Sequence, residues 1–475
     1  MKNTISNILC NEFPTKIEVT SGFFDEKLVK KILKFYPKRL KHTFGVREIA
    51  ENLFSSIFSP DQQRKLITAT LFHDIGYSED LIITGFHPLD GAIFLAHHGF
   101  DDDILRAILN HTGAIGEANY HGIAKTVYEK LPLHKTSDID DALTFCDLRT
   151  SPVGEPVTPD ERYKEIIERY GKFHYVSQNI MKWKQEFNNI TQRIIKRVND
   201  IYSDNLPWLF IDIDNTLIVP GHDISKINQD AIHSYLTAGG KISLATGKHP
   251  QAIKSLIGQL NLDTHQISGN GAVIISENHS EPIEDILGVQ GMKIQNLLYR
   301  DKIPHAIYTI DNIHFSTECT DQEHIQMLID INEPRPINDL ISNWDRVFKI
   351  LIFANHKNIS LEKFLKHLAH LENLTSVRTS SEFVEIMSKA TSKATAMKYI
   401  LTHYKWPMLY TAALGDSEND LSILRTVGIP AVVGNASVTA SHAVPFAVSS
   451  CKSNGAAEFI NLLKNNYLGG KQCLK

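Results

Sequence analysis

The chain changes texture once, and that change divides what it can fold into. Up to about residue 203 the apolar residues recur at helical spacing. They run from Leu40 and Phe44 through Ile49, Leu53, Phe54 and Ile57, then Lys65 to Leu71, Ile104 to Leu109, and a charged stretch from Glu161 to Tyr202. Strand-like alternation is absent, so residues 1–203 are expected to form an all-α helical bundle. At Tyr202-Ser-Asp-Asn-Leu-Pro207 a turn-rich stretch intervenes. Trp208-Leu-Phe-Ile-Asp-Ile213 then supplies the short apolar run expected of a strand buried on both faces of a parallel sheet.

Helices and strands alternate from there: a helix over 228–236 ending at Gly239-Gly240, a strand over 241–246, a helix over 250–260 and a strand over 266–269. This rhythm predicts a doubly wound, Rossmann-like α/β sheet. From 274 to 386 the pattern is mixed, with strand-like Val347–Phe353 and helix-like Leu361–Leu371, and the βα rhythm returns at Lys393. The α/β core is therefore expected in two pieces, 204–273 and 387–475, with an α+β domain of residues 274–386 inserted between them. A length of 475 residues, 42% of them apolar, is enough to fill two or three cores.

Charge and cysteines narrow the function classes. A net charge of -5 carries no electrostatic footprint for nucleic acid or an anionic membrane. No segment approaches the ~20 apolar residues of a membrane span, and the first residues lack the apolar run of a signal peptide. Cys10, Cys146, Cys319, Cys451 and Cys473 are scattered, without Cys-x-x-Cys spacing, and read as reduced thiols of a cytoplasmic protein.

Imidazoles and carboxylates are the usual ligands of hydrolytic transition-metal sites. In the helical half they form an ordered set: His42, His73-Asp74, His87, His111 and Asp147. His73 and Asp74 close the helix that includes Leu66 to Phe72, just before Gly76, which is expected to terminate it. His42 and Asp147 lie on other helices and can converge on them. His97, His98, His121 and His134 stand outside the set and read as ordinary helix or core histidines. The segments Leu71–Tyr77, Thr84–Ala92, Asn110–Ala114 and Asp147–Val157 resemble the HD-domain metal phosphohydrolases over roughly residues 20–180. The resemblance implies a first divalent metal (Mn2+, Fe2+ or Zn2+) on His42, His73, Asp74 and Asp147. A second would sit on Asp74, His87 and His111. Asn110 stands where that branch often has another histidine.

In the α/β half, Asp212 sits at the tip of the first buried strand, where open parallel sheets bind their ligands. Asp214, two residues on, emerges on the same side of the extended chain. One carboxylate can attack phosphorus while the other handles protons. Lys393 starts a helix just ahead of Gly415-Asp-Ser-Glu-Asn-Asp420, and Thr246 ends the next strand. Asp212-Ile-Asp-Asn-Thr216, Ala245–Lys248, Ser268–Ala272, Ser392–Ala396, Gly415–Asp420 and Val433–Ala436 resemble the haloacid dehalogenase superfamily, specifically the Cof-like branch with a type IIB α/β cap. The resemblance covers about 207–465. It implies catalysis by Asp212, Asp214 and Lys393, and phosphate contacts from Thr246, Gly247, Asn270 and Lys393. Mg2+ would be held by Asp212, Asp214 and Asp416, with Asn419 and Asp420 supporting those groups from behind. Asn215 replaces a usual glycine, and Lys248 a usual arginine.

Together these expectations describe a bifunctional, metal-dependent phosphohydrolase acting on small phosphorylated molecules. The helical half would act on a nucleotide or other phosphate ester, and the α/β half on a sugar phosphate or nucleotide monoester. Two alternatives stay open: a helical half that binds a ligand and regulates the phosphatase without turnover, and an α/β half that passes phosphate to an alcohol.

Overall fold

The computed structural model describes residues 4–467 apart from 15–24, 134–136, 203, 277–279, 284–286, 318–319, 340, 342–343, 355–358, 369–372 and 379–381. His134, Cys319 and Cys473 lie outside the described residues. The chain divides into two compact units, with the main boundary after Tyr202.

The first unit is helical. Its site-bearing helices are Pro37–Phe54, Pro60–Phe72, His87–His97, Asp102–Asn110 and Asp138–Asp147, followed by Pro159–Tyr170 and Tyr175–Tyr202. Local chemistry marks the starts. Ser59 with Gln62, and Thr158 with Glu161, form reciprocal capping boxes, each followed by a proline in the first turn. The single helical stretch expected over 161–202 is two helices, separated at Gly171, whose φ of 87° suits glycine. Helix His87–His97 is buried along most of its length, including Leu89, Ile93 and Leu95, so its apolar residues lie all round the axis. His97 and His98 have structural partners, the Phe13 and Phe94 carbonyls, and His121 packs on Phe86.

The second unit is α/β. A parallel five-stranded sheet runs in the order Ala447–Val448, Ile429–Val433, Thr411–Gly415, Trp208–Ile211, Ile242–Leu244. Trp208–Ile211 and Thr411–Gly415 are buried at every position, which explains their unbroken apolar character. Its core joins Leu209, Ile211, Leu244, Ala412 and Leu414 of the strands to Ile232, Tyr235 and Phe459 of flanking helices. The chain leaves Trp208–Ile211 for a neighbour on one side and later returns to a neighbour on the other. That arrangement opens a crevice at the carboxyl ends of the strands.

A small antiparallel sheet (Gln266–Ser268, Val273–Ile275, Ser280–Pro282) joins the parallel one through a bridge between Ala245 and Ile267. Beyond it a second sheet of six strands forms a cap. Its order is Leu374–Arg378, Phe383–Ser388, Val347–Phe353, His305–Thr309, Ile313–Phe315, Ile337–Asn338. Helices Gly288–Arg300 and Ile359–Leu368 contribute Ile294, Leu298, Phe364 and Leu368 to the core on one of its faces. Among the described residues no helix is long and apolar enough to cross a membrane.

Candidate active sites

In the helical unit the six expected side chains gather into two adjoining groups. His42, His73 and Asp147 offer ligand atoms within 4.8 Å of one another, as do Asp74, His87 and His111. Asp74 thus groups with His87 and His111, while its Oδ2 lies 3.6 Å from His73 Nε2. The His73 ring stands between those of His42 and His111, with centroids 5.6 and 5.3 Å away.

Backbone carbonyls set the ring orientations. Nδ1 of His42 donates to the Ser151 carbonyl (3.0 Å), that of His73 to Thr70 (2.7 Å) and that of His111 to Ile108 (2.5 Å). In the neutral form each ring would present an Nε2 lone pair to the interior, the arrangement that metal-binding histidines require. His73 Nε2 is buried without a hydrogen-bond partner among the described residues. His42 Nε2 lies 2.9 Å from Asp147 Oδ1; a lone pair facing a carboxylate at that range needs a proton or a metal ion between them. Burial, reinforced by neighbouring histidines, lowers the pKa of His87 and His111 and keeps them in the neutral, ligating form. The donor set fits one or two divalent transition metals.

Burial alone would raise Asp74, but Arg39 and the His73, His87 and His42 rings together outweigh it and hold its carboxyl well below the usual range. Arg39 donates to Asp74 Oδ2 at 2.9 Å and lies over the Tyr77 ring, which itself stacks on His87 at 4.0 Å. Sequence reasoning missed Arg39, although its i, i+3 spacing from His42 places both on one helix face. It also missed Thr112, which donates to Asp147 Oδ2 from a backbone φ of 49°. A β-branched residue is rarely found there, and no sequence pattern announces it. Asn110 donates to Asp140.

Gly76 is not the terminator expected of it. The helix ends at Phe72 and a 3-10 turn covers Ile75–Tyr77. A Cβ at Gly76 would lie 2.0 Å from the His87 carbonyl oxygen, so glycine there lets the His87 segment come up against Asp74.

In the α/β unit, Asp212, Thr246 and Asp416 follow three neighbouring strands at their carboxyl ends. Asp212, Asp416 and Asp420 place carboxylate oxygens within 4.8 Å of one another. Lys393, wholly buried, bridges two of them, at 2.7 Å from Asp212 Oδ1 and 2.6 Å from Asp420 Oδ1. Asp420 also accepts from the Asp416 and Ser417 backbone N–H groups (2.9 and 3.1 Å), which fixes the loop. Burial, then mutual repulsion, raises the Asp212 carboxyl despite Lys393 and pushes Asp416 up to about 6. Three close carboxylates against one lysine leave an excess of negative charge that a divalent cation on oxygen donors would balance, so the set fits Mg2+.

The side chain of Asp214 stands apart from that group, its Oδ2 3.2 Å from Lys248 Nζ, which also donates to the Ile331 carbonyl of the cap. Asn215 has φ 60°, a conformation that asparagine tolerates second to glycine. Asn270 donates to Glu385 (3.1 Å) and accepts from Asn419 (3.1 Å). The Thr246 hydroxyl accepts from the Lys248 backbone N–H.

A cavity of about 410 Å3 lies between these groups and the cap. Its cap wall includes Asn332, Glu333, Lys349, Leu351, Phe383 and Glu385. Lys349 pairs with Glu385 at 3.0 Å and donates to the Gly247 carbonyl at 3.2 Å. These residues escaped sequence reasoning. A signal existed, because each is the lone charge in a fully apolar strand, Val-Phe-Lys-Ile-Leu-Ile-Phe353 or Phe-Val-Glu-Ile-Met387.

Comparison with known proteins places both units. Residues 209–460, more than half of the chain, match the family model of the haloacid dehalogenase-like hydrolases. The chain belongs to that family. Residues 39–169 match the HD domain. Phosphatase YwpJ of Bacillus subtilis is 28% identical over 255 residues, spanning 48% of this chain and 88% of that protein. The HMP-PP phosphatase of Yersinia pseudotuberculosis is 24% identical over 263 residues, 53% of this chain and 92% of that protein. A solved haloacid dehalogenase-like hydrolase from Bacteroides thetaiotaomicron superposes with a TM-score of 0.50 at 20% identity, covering 55% of this chain and all of that one. It supports the fold of the α/β unit.

Proposed function

We propose that this cytoplasmic chain is a bifunctional phosphohydrolase with one active site in each unit. In the α/β unit Asp212 is the nucleophile, attacking the phosphorus of a small phosphomonoester, a sugar phosphate or nucleotide, to give a phosphoaspartate. Asp214 protonates the departing alkoxide and then takes a proton from the water that hydrolyses the phosphoaspartate. Lys248 Nζ, 3.2 Å from Asp214 Oδ2, holds that carboxyl in place for both roles. Thr246, the Gly247 backbone, Asn270 and Lys393 hold the phosphate oxygens. Mg2+ bound by Asp212, Asp416 and the Asp214 carbonyl would offset phosphate charge and polarise the reacting phosphorus. The phosphatase names of the relatives support this reading, and the observation that carries it is the buried Lys393 bridging Asp212 and Asp420 beside Asp416.

In the helical unit His42, His73 and Asp147 would hold one divalent transition metal and Asp74, His87 and His111 another, supplying an activated water for phosphate-ester cleavage. The orphaned His73 Nε2 is the observation that supports it. Phosphate release from a panel of phosphate esters by wild type, Asp212→Asn and Asp74→Ala tests both halves. Two separable activities are expected, the first lost in D212N and the second in D74A. If D74A matched wild type on every substrate, the helical unit would not be catalytic.

A further inference from the structure

The cleft above the histidine and aspartate groups has a second chemical character. It encloses about 80 Å3, and three arginines, Arg39, Arg162 and Arg169, line it against three carboxylates, Asp74, Glu117 and Asp147. The lining is balanced before any metal binds. With Glu165 beside Arg162 and Arg169 the surroundings carry one net negative charge, so one divalent cation leaves one positive charge and two leave three, which favours an anionic occupant.

Arg162 and Arg169 form a prepared anion site. Arg162 is buried, and its Nη1 lies 2.5 Å from Glu165 Oε2, while Arg169 Nε lies 3.4 Å from Oε1 of the same glutamate. One carboxylate therefore aligns two guanidinium groups and neutralises only one. Arg162 is also close enough to Asp147 to favour its charge. Guanidinium forks match phosphate oxygens in geometry as well as in charge. The aromatic rings of the lining are stacked on neighbours. Tyr77 packs between Arg39 and His87, and Tyr170 has Arg169 and His174 against it. Recognition rests on phosphate, with no ready platform for a nucleobase.

We propose that this cleft binds a phosphoanhydride, with the phosphoryl group under attack facing the two ligand groups and the neighbouring phosphate held by Arg162 and Arg169. The proposal rests on the catalytic reading of the helical unit. A lone monoester would leave the arginine pair facing water. In the hydrolysis, water oxygen bonds to one phosphorus and the bridging P–O bond breaks. Its electron pair leaves with the neighbouring phosphate, and the two water protons end one on each product.

The test uses full-length D212N protein loaded with Mn2+ and titrated calorimetrically with imidodiphosphate, with inorganic phosphate as the comparison. Imidodiphosphate is expected to bind at least tenfold more tightly. Arg162→Gln should weaken it tenfold or more, and phosphate less than threefold. Because Arg162 is buried, Arg169→Gln serves as a second variant, expected to weaken imidodiphosphate at least threefold. Equal affinities, or losses shared equally by both ligands, would overturn the anhydride site. Turnover separates the two readings. Hydrolysis of monoesters but not pyrophosphate by D212N sinks the anhydride and spares the catalytic unit. Arginine-dependent imidodiphosphate binding with no turnover of any ester or anhydride supports the site and sinks catalysis.

Discussion

Lys349→Met is the sharpest probe of the cap. Lys349 and Glu385 have side-chain exposures of 2% and 9% and lie 3.0 Å apart in adjacent strands of the six-stranded sheet. Methionine keeps the aliphatic stem and its packing near Tyr308, and removes the charge with its hydrogen bonds to Glu385 and the Gly247 carbonyl. Glu385 would then be a buried carboxylate left, among the described residues, with the Asn270 amide (3.1 Å) as its side-chain donor. Breaking one side of a buried pair costs about 3–5 kcal/mol. Glu385→Gln should cost less, because the amide still accepts from Lys349 and the Gly247 carbonyl keeps its donor. The double variant should recover about 2 kcal/mol or more relative to the sum of the singles. Amide hydrogen exchange over 347–353 and 383–388 reads this locally, and 3–5 kcal/mol accelerates exchange by roughly two to four powers of ten. Additive singles, or K349M exchange within threefold of wild type, would refute the reasoning. KM for the phosphomonoester should rise as well, because Lys349 anchors Gly247 and, through Glu385, Asn270.

Other expectations concern the metal groups. Asp416 titrates near 6 in the fold against 3.8 unfolded, so folding favours its protonated form. That stability is fully present below about pH 3.8 and is lost as pH rises through 6. Metal-stripped protein should therefore lose about 2–3 kcal/mol of α/β-unit stability between pH 4 and 6.5, allowing for the partial exposure of Asp416. Saturating Mg2+ should flatten the slope in pH-dependent denaturant melts. Thr112→Gly relieves a left-handed backbone by about 1 kcal/mol but removes a hydrogen bond to the Asp147 carboxylate worth about 1.5–3 kcal/mol. A net loss of about 1 kcal/mol and weaker Mn2+ binding should appear by denaturation and calorimetry, and a stabilised variant would show that strain outweighs the bond. Gly76→Ala forces the His87 carbonyl away and should lower the metal content of the helical unit by elemental analysis, with secondary structure unchanged by circular dichroism.

How much of this was legible beforehand differs by residue. Asp212, Asp416, Asp420 and Lys393 announced themselves because strand ends and a helix start leave few other places for such charges. The histidine set was visible because its members sit in short local contexts, and all but His42, inside Pro37–Phe54, are tied to a helix end or turn. What stayed hidden depends on pairing across the fold. Lys349 was visible as an odd charge in an apolar strand, yet nothing in one strand names Glu385 as its partner. Thr112 acts through its backbone angle, which residue identity does not encode. Gly76 was noticed for the wrong reason: a helix stop was expected, and the steric demand comes from His87, distant in the pattern but adjacent in space.

The two candidate metal sites answer one electrostatic problem in opposite ways, and the contrast bears on which ions they hold. The α/β site gathers carboxylate oxygens and keeps a single lysine as counter-ion, so it is short of positive charge and built from hard donors. Such a set suits Mg2+, which binds oxygen and completes its shell from solvent and substrate phosphate. The helical site instead offers four imidazoles with two carboxylates, and Arg39 already lies on Asp74. Neutral nitrogen donors give little long-range charge attraction and gain their affinity from coordination itself, which favours the later first-row divalent ions. Separate ion preferences would let one chain hold two divalent-ion centres without either competing for the other's metal.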